Sequence, residues 1–469
     1  MTKKSAPTPT EWRQAIDRRR VLQGGAVGGL SIVGGGLLAS CGSSSSETVD
    51  TVTDAVSDTT DAATDAVADA GDAMVAGPFG DASGDLTIGS NASDEAPKAG
   101  LAAVVAAFPN DNVNLSINTV DHNTYQENIN TYLQSEEDDV MAWFAGFRNK
   151  FFADQGLVGD ISDVWAEVDG LGAGFKAAST ASDGKQYFMP TSYYTWAVNY
   201  SKSLFSENGY EEPSNVDELL ALAEQMQSDG ITPFVFANDG QWPIMGTFDV
   251  LNMRINGYDY HIDLMGGNEK WNDTRTRDVF TTWESLLPYH MEGANGRTWQ
   301  EGAQALQDGT AGMYLLGTFA ASHSEELAAD MDFFNFPEID PAIGASALDA
   351  PIDGYQMIAN PKNPPAAKEF LLHLSTAVSQ DAYLSEDPSV VASSSNANTG
   401  SYNDLQKKSA ALAGAATGIS QFADRDTIPD FASNVLGPML AEFIEDPSGI
   451  ESALDDAQEQ WEAISADYS

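Results

Sequence analysis

The sequence predicts an α/β fold of two doubly wound lobes, on three observations. Strand-like and helix-like segments alternate from Gly84 onward, and apolar residues recur at helical spacing between Gly- and Pro-marked stops. With 42% hydrophobic residues, the roughly 385 residues after any N-terminal linker favour two cores over one.

Asp85-Leu86-Thr87-Ile88-Gly89 alternates as a short strand, and the Ala- and Val-rich stretch 96–108 follows as a helix ending at Pro109. Residues 113–117 alternate as a second strand, 125–133 form a second helix, and the apolar run 140–144 a third strand. This succession is the parallel unit of a doubly wound sheet. Farther on, Ser214-Asn215-Val216-Asp217 reads as a capping box opening a helix with Leu219, Leu222, Ala223 and Met226 on one face, stopped at Gly230. Ser448-Gly449-Ile450-Glu451 opens the last helix in the same way, with Ile450, Leu454, Ala457 and Trp461 as its docking stripe.

Ahead of the folded part, the sequence predicts an export address. The apolar stretch 21–38 follows Arg18-Arg19-Arg20 and has the length and flanks of a signal-peptide core rather than a spanning helix. Cys41 is the only cysteine, and Leu38-Ala39-Ser40-Cys41 resembles a lipobox, in which the thiol is lipidated and becomes the mature N-terminus. Residues 17–23 resemble a twin-arginine export signal, with Val21 where that pattern prefers Phe. The chain is therefore expected to be anchored to the outer face of a cell membrane through Cys41, with residues 1–40 removed. Residues 41–83 read as an acidic linker or stalk, too poor in apolar residues to fold alone. Seven aspartates from Asp50 to Asp72 recur at spacings of three and four, so a helical stalk and a solvated coil both stay open.

Of 22 basic and 70 acidic side chains, residues 1–40 hold six and two, which leaves 16 against 68 and a formal charge of −52. Such a surface repels nucleic acid and anionic lipid and favours cations or neutral ligands. It also suits solubility in a salty medium, where screening tolerates the self-repulsion. With one cysteine, burial rather than disulfides must hold the fold.

Motifs for chemistry are absent from the sequence: no His-Glu-x-x-His, Gly-x-Ser-x-Gly or phosphate loop, and no two of the five histidines on one helical turn. Neither a metal site nor a cofactor is predicted. What remains is an excess of aromatic and amide residues in turn-like stretches: Trp143-Phe144 through Arg148, Tyr193-Tyr194-Thr195-Trp196, Asn238-Asp239-Gly240-Gln241-Trp242-Pro243 and Gly317-Thr318-Phe319. A sugar suits such a set, because its C–H faces lie on rings while its hydroxyls need Asp, Asn, Gln or Arg partners.

From Gly84 to the C-terminus the chain resembles the extracellular solute-binding proteins of ABC importers, in the cluster that includes maltose- and other sugar-binding lipoproteins. The resemblance is carried by Tyr187-Phe188-Met189-Pro190 followed by residues 197–205, by Gly230-Ile231-Thr232-Pro233-Phe234, by Gln241-Trp242-Pro243, by residues 309–317 and by residues 366–371. It implies a periplasmic-binding-protein-like fold, with two lobes joined by a hinge of crossover segments: lobe I from 84–196 with 356–395, lobe II from 197–355 with 396–469. The ligand would be clamped between them by hinge closure. By matching positions, Asn91, Asp94, Glu95, Trp143, Arg148, Tyr194 and Trp196 line the cleft from the first lobe and first crossing, and Trp242, Phe319 and Asp353 face them from the second lobe; Asp239, just ahead of Trp242, is a further candidate. Ser90-Asn91-Ala92 departs from the aromatic pair that sugar binders often carry there, and Thr318-Phe319 from Asp-Trp.

The expected function is a monomeric receptor that captures a sugar or oligosaccharide and delivers it to permease subunits, without chemistry of its own. Two alternatives compete. A polyamine receptor would use Asp94, Glu95, Asp239 and Asp353, provided that they converge in the cleft. A lipid-anchored glycoside hydrolase would need two carboxyls about 5 to 10 Å apart across a sugar site.

Overall fold

The computed structural model describes residues 78–466. The expected signal peptide, Cys41 with its expected lipid, and the expected linker as far as residue 77 lie outside the described residues. The strands are β1 (Gly84–Ser90), β2 (Val113–Thr119), β3 (Val140–Phe144), β4 (Met189–Tyr193), β5 (Trp196–Ser201), β6 (Thr232–Phe234), β7 (Ala311–Gly317), β8 (Met331–Phe334), β9 (Ala347–Asp349), β10 (Ile352–Met357), β11 (Val391–Ala392) and β12 (Gly418–Ser420).

Among the described residues a six-stranded sheet runs in the order β11-β4-β10-β3-β1-β2, and a four-stranded sheet in the order β6-β7-β5-β8. β1 pairs parallel with both β2 and β3, as strand-helix-strand units require. β10 is antiparallel to β3 and to β4, so the sheet is mixed rather than wholly parallel. The cause lies in the crossings. The chain leaves β4 for β5 in the other sheet through Tyr194 and Thr195 alone, and it returns from β9 into β10 through Ala350 and Pro351. A strand entering from beyond the carboxyl ends of β1 and β3 must run back against them.

The two faces of this sheet bury separate cores. The helix Glu95–Ala106 lays Leu101 and Val104 on one face with Leu86, Ile88, Phe370 and Leu371. The helix His122–Ser135 lays Tyr125, Ile129 and Leu133 on the other with Trp143, Phe152 and Phe188. Full burial of each such side chain contributes about 1.5–3 kcal/mol. Around the second sheet, the helix Val216–Ser228 buries Leu219, Leu222, Ala223 and Met226, the stripe read from sequence. Its cap is Asn215 rather than Ser214: Asn215 accepts from Glu218 N, while the Glu218 carboxylate returns to Ser214 N at 2.8 Å. The last helix, Ile450–Ala466, is preceded by a turn, Pro447–Gly449, capped by Asp446 rather than by Ser448. Leu454, Ala457 and Trp461 are buried there, with Ile450 half-buried. No helix among the described residues is long and apolar enough to cross a membrane.

Candidate functional site

In the order β3-β1-β2, the chain leaves β1 toward β2 on one side and, after β2, reaches β3 on the other. At such a switch point the carboxyl ends of neighbouring strands lead apart and leave a crevice. Residues that follow β1 and β2 and the last three residues of β3 line a cavity there, together with the crossing segments and the second sheet's loops. Its volume is about 180 Å³, roughly six times the ~30 Å³ share of one water molecule in the liquid.

Aromatic rings form one wall. Phe319 meets Tyr194 edge-on at 5.0 Å and Trp299 at 5.3 Å, and lies 6.2 Å from Trp242 and 6.3 Å from Trp196. Trp196 packs at 4.7 Å on Phe422, whose φ of 101° is a conformation that a side chain of this size rarely adopts. Two glycines make the wall possible. A Cβ on Gly246 would lie 2.3 Å from the Trp196 ring, and one on Gly317 2.4 Å from Phe319. A capping box, Thr298 with Glu301, fixes the start of the helix Trp299–Gln307 and so the place of Trp299.

Beside the rings, starting from the Tyr194 hydroxyl, lies a polar floor. Arg425 donates to Asp353 Oδ1 at 2.9 Å and to the Tyr194 hydroxyl at 2.9 Å, with its guanidinium 3.9 Å from the centre of the Phe144 ring. Burial opposes the charge on Arg425, but Tyr194, Asp353 and Asp424 outweigh it and hold the group above its ordinary value. Burial raises Asp353, and Arg425 partly offsets that rise. Arg148 donates to Gln126 Oε1 and Asp424 Oδ2, both at 2.9 Å. Because Gln126 accepts from Arg148, its amide nitrogen faces His122 Nε2 at 2.7 Å as the donor, and His122 Nδ1 faces the Asn91 amide at 3.3 Å. Burial, assisted by Arg425, lowers His122 to about 4, so its ring is neutral at pH 7.

Eight residues named from sequence line the cavity: Asn91, Asp94, Trp143, Tyr194, Trp196, Trp242, Phe319 and Asp353. Three do not. Arg148 is buried behind the floor, stacked 4.7 Å from the Trp143 ring, while Glu95 and Asp239 are exposed outside the cavity. The four carboxylates of the polyamine reading therefore do not converge. Asp94 Oδ1 accepts from Gln300 at 3.0 Å, and Asp353 is paired with Arg425.

Sequence reasoning missed His122, Gln126, Trp299, Phe422, Asp424 and Arg425, all of which line the cavity. His122 and Gln126 carried a usable signal, because they open the helix after β2 at the same sheet edge as Asn91.

The pattern of the bacterial extracellular solute-binding protein family matches residues 92–381. An uncharacterised ABC transporter extracellular-binding protein of Pyrococcus horikoshii is 24% identical over 263 residues, 54% of this chain and 57% of that relative. The chain thus spans little more than half the length of the curated relatives it matches. Among solved structures, the bacterial solute receptor AcbH, described as having an exclusive preference for β-D-galactopyranose, is 43% identical with a TM-score of 0.79, covering 81% of this chain and 99% of that one. A chitin oligosaccharide binding protein shares the fold at 19% identity and a TM-score of 0.73, with 81% and 98% covered.

Proposed function

The chain belongs to the bacterial extracellular solute-binding proteins, and from that premise we propose that it is a receptor for a neutral hexose of the galactopyranose kind, which it presents to the permease subunits of an ABC importer. The observation that carries the reading is the cavity itself: a wall of six rings and, beside it, Arg425 and Asp353 with the Tyr194 hydroxyl and Asn91. An aromatic face takes the apolar side of a pyranose, and fixed donors and acceptors take its hydroxyls. The likeness to AcbH, at 43% identity over nearly the whole of that chain, supports galactose as the first sugar to test.

In this reading residues 84–193 with 352–395 form lobe I and residues 196–349 with 396–469 form lobe II, hinged at the crossings; the boundaries expected after 196 and 355 move because β5 starts at Trp196 in the four-stranded sheet and β10, with Asp353, pairs in the six-stranded one. The protein would act outside the membrane, tethered through a lipid on Cys41, and as a monomer. The mature N-terminus identified by mass spectrometry tests the tether: an unmodified Cys41 or an intact residue 1–40 segment would end that part of the proposal. The receptor has no chemistry of its own. The hydrolase alternative needs two free carboxyls across the sugar, whereas each of the four that line the cavity already has a partner: Asp94 has Gln300, Asp353 has Arg425, Asp424 has Arg148, and Asp387 has Ser389 and Tyr383.

Thermal shift against a panel of hexoses, oligosaccharides and polyamines tests the ligand class, because a ligand that binds only the folded protein raises its melting temperature. The reading predicts a rise with galactose. A rise with polyamines alone, fading as salt is added, would overturn it.

A further inference from the structure

We infer that Gln300 and Asn123 limit the ligand to one sugar ring by clamping the two ends of the cleft. This rests on the hexose-receptor reading above. The helices Glu95–Ala106 and His122–Ser135 cover opposite faces of the six-stranded sheet, since their buried residues belong to its two separate cores. Their N-termini therefore flank the cavity on two sides, with the crossings behind it.

At each flank a group from beyond the cleft reaches over. On one, Gln300 donates to Asp94 Oδ1 at 3.0 Å, just ahead of the first helix. On the other, Trp242 Nε1 donates to Asn123 Oδ1 at 3.2 Å, in the first turn of the second helix. Gly240 seals that side more closely: with φ of +82°, a Cβ there would lie 2.9 Å from the Asn123 amide. The capping box at Thr298 and Glu301 and the Pro243 start of the helix Pro243–Asn256 fix Gln300 and Trp242 in place, so neither contact depends on a free loop.

A second sugar that leaves the first along either face of the sheet must cross one of these two points, and both are bridged. The cavity does continue inward past Tyr355 and Tyr383, toward Val104, Leu374 and Leu384, where the polar side chains are already engaged: Gln380 donates to Leu374 O and Ser393, and Asp387 accepts from Tyr383 and Ser389. That lining offers few partners for the hydroxyls of a second ring, which would be buried unpaired. The specificity is thus negative as well as positive: the clamps exclude longer saccharides, and the rings and floor hold the single one.

Calorimetric titration of the full-chain protein with D-galactose, lactose and melibiose tests the inference, in the wild type and in Gln300→Ala, Asn123→Ala and the double variant. The wild type should bind galactose and reject both disaccharides. Each single variant should keep galactose within about fivefold, the worth of one net hydrogen bond, and at least one variant should bind a disaccharide about tenfold or more above the wild type. Gln300→Glu, which sets a like charge against Asp94, should open the same end without shortening the side chain. Disaccharide binding by the wild type at the strength of galactose would overturn the clamp, as would continued rejection by a double variant that still binds galactose. A wild type that binds no hexose would instead sink the receptor reading and the length rule with it.

Discussion

Replacing Arg425 with alanine removes the group that ties the cavity floor together. The side chain makes a charge-assisted hydrogen bond to Asp353 and a second bond to the Tyr194 hydroxyl, both at 2.9 Å, and lies over Phe144 at 3.9 Å. The first is worth about 1.5–3 kcal/mol and the second about 1 kcal/mol, and the ring contact about 0.5–2 kcal/mol. Freeing a guanidinium that is 8% exposed from its desolvation offsets part of that sum. Asp353 is 36% exposed to the cavity, so water can reach the carboxylate left behind. The expected loss is therefore about 3 kcal/mol, the low end for breaking a buried pair. Urea unfolding at constant m-value measures it. The loss should also depend on pH. Burial already raises Asp353 and Arg425 opposes that rise, so without Arg425 the folded state keeps the proton to higher pH, and the deficit grows as pH rises through the Asp353 titration. Arg425→Lys should not restore the wild type, because an ammonium lacks the fork that reaches Asp353 and Tyr194 together. A loss below about 1 kcal/mol, or one independent of pH, would refute the reasoning.

Gly246→Ala places a methyl where the Trp196 and Phe422 rings already lie; a loss of about 1–3 kcal/mol in thermal or urea unfolding is expected, and a neutral result would show that the wall can yield. Asp426 is pushed up by burial to about 7, so in the wild type the folded state holds a proton that the unfolded chain has lost. Stability from this group therefore falls as pH rises from about 4 to about 7, and Asp426→Asn should remove that slope. His122, lowered to about 4, acts in the opposite sense between about 4 and 6.5, so the comparison is made as a difference between variant and wild type. The excess of 70 acidic over 22 basic side chains predicts a melting temperature that rises with sodium chloride as the self-repulsion is screened; a flat or falling curve would contradict it.

The parts of this molecule legible in the sequence are those written in local patterns. β3 coincides with the apolar run 140–144, and β1 and β2 extend the predicted strands by one or two residues. Their alternation states which side chains face a core. The antiparallel entry of β10 was not legible, because nothing in residues 352–357 records that the chain arrives there from the other sheet. The site divides in the same way. Aromatic clusters pointed to Tyr194, Trp196, Trp242 and Phe319, but Asp94 and Glu95 were taken together although successive residues at a helix start point about 100° apart, one into the cavity and one into water. Arg425 was hidden between Asp424 and Asp426 in a chain where acidic neighbours carry no information. Phe422, at positive φ, owes its place to Trp196 and Gly246, which are far from it in sequence.

Calorimetric titration of the protein with D-galactose, alongside Trp242→Ala, tests the central claim most directly. The account predicts one site per chain for the wild type and an affinity at least about tenfold weaker once the Trp242 ring is gone. Absence of heat with galactose and every other hexose, or binding untouched by the loss of Trp242, would contradict it.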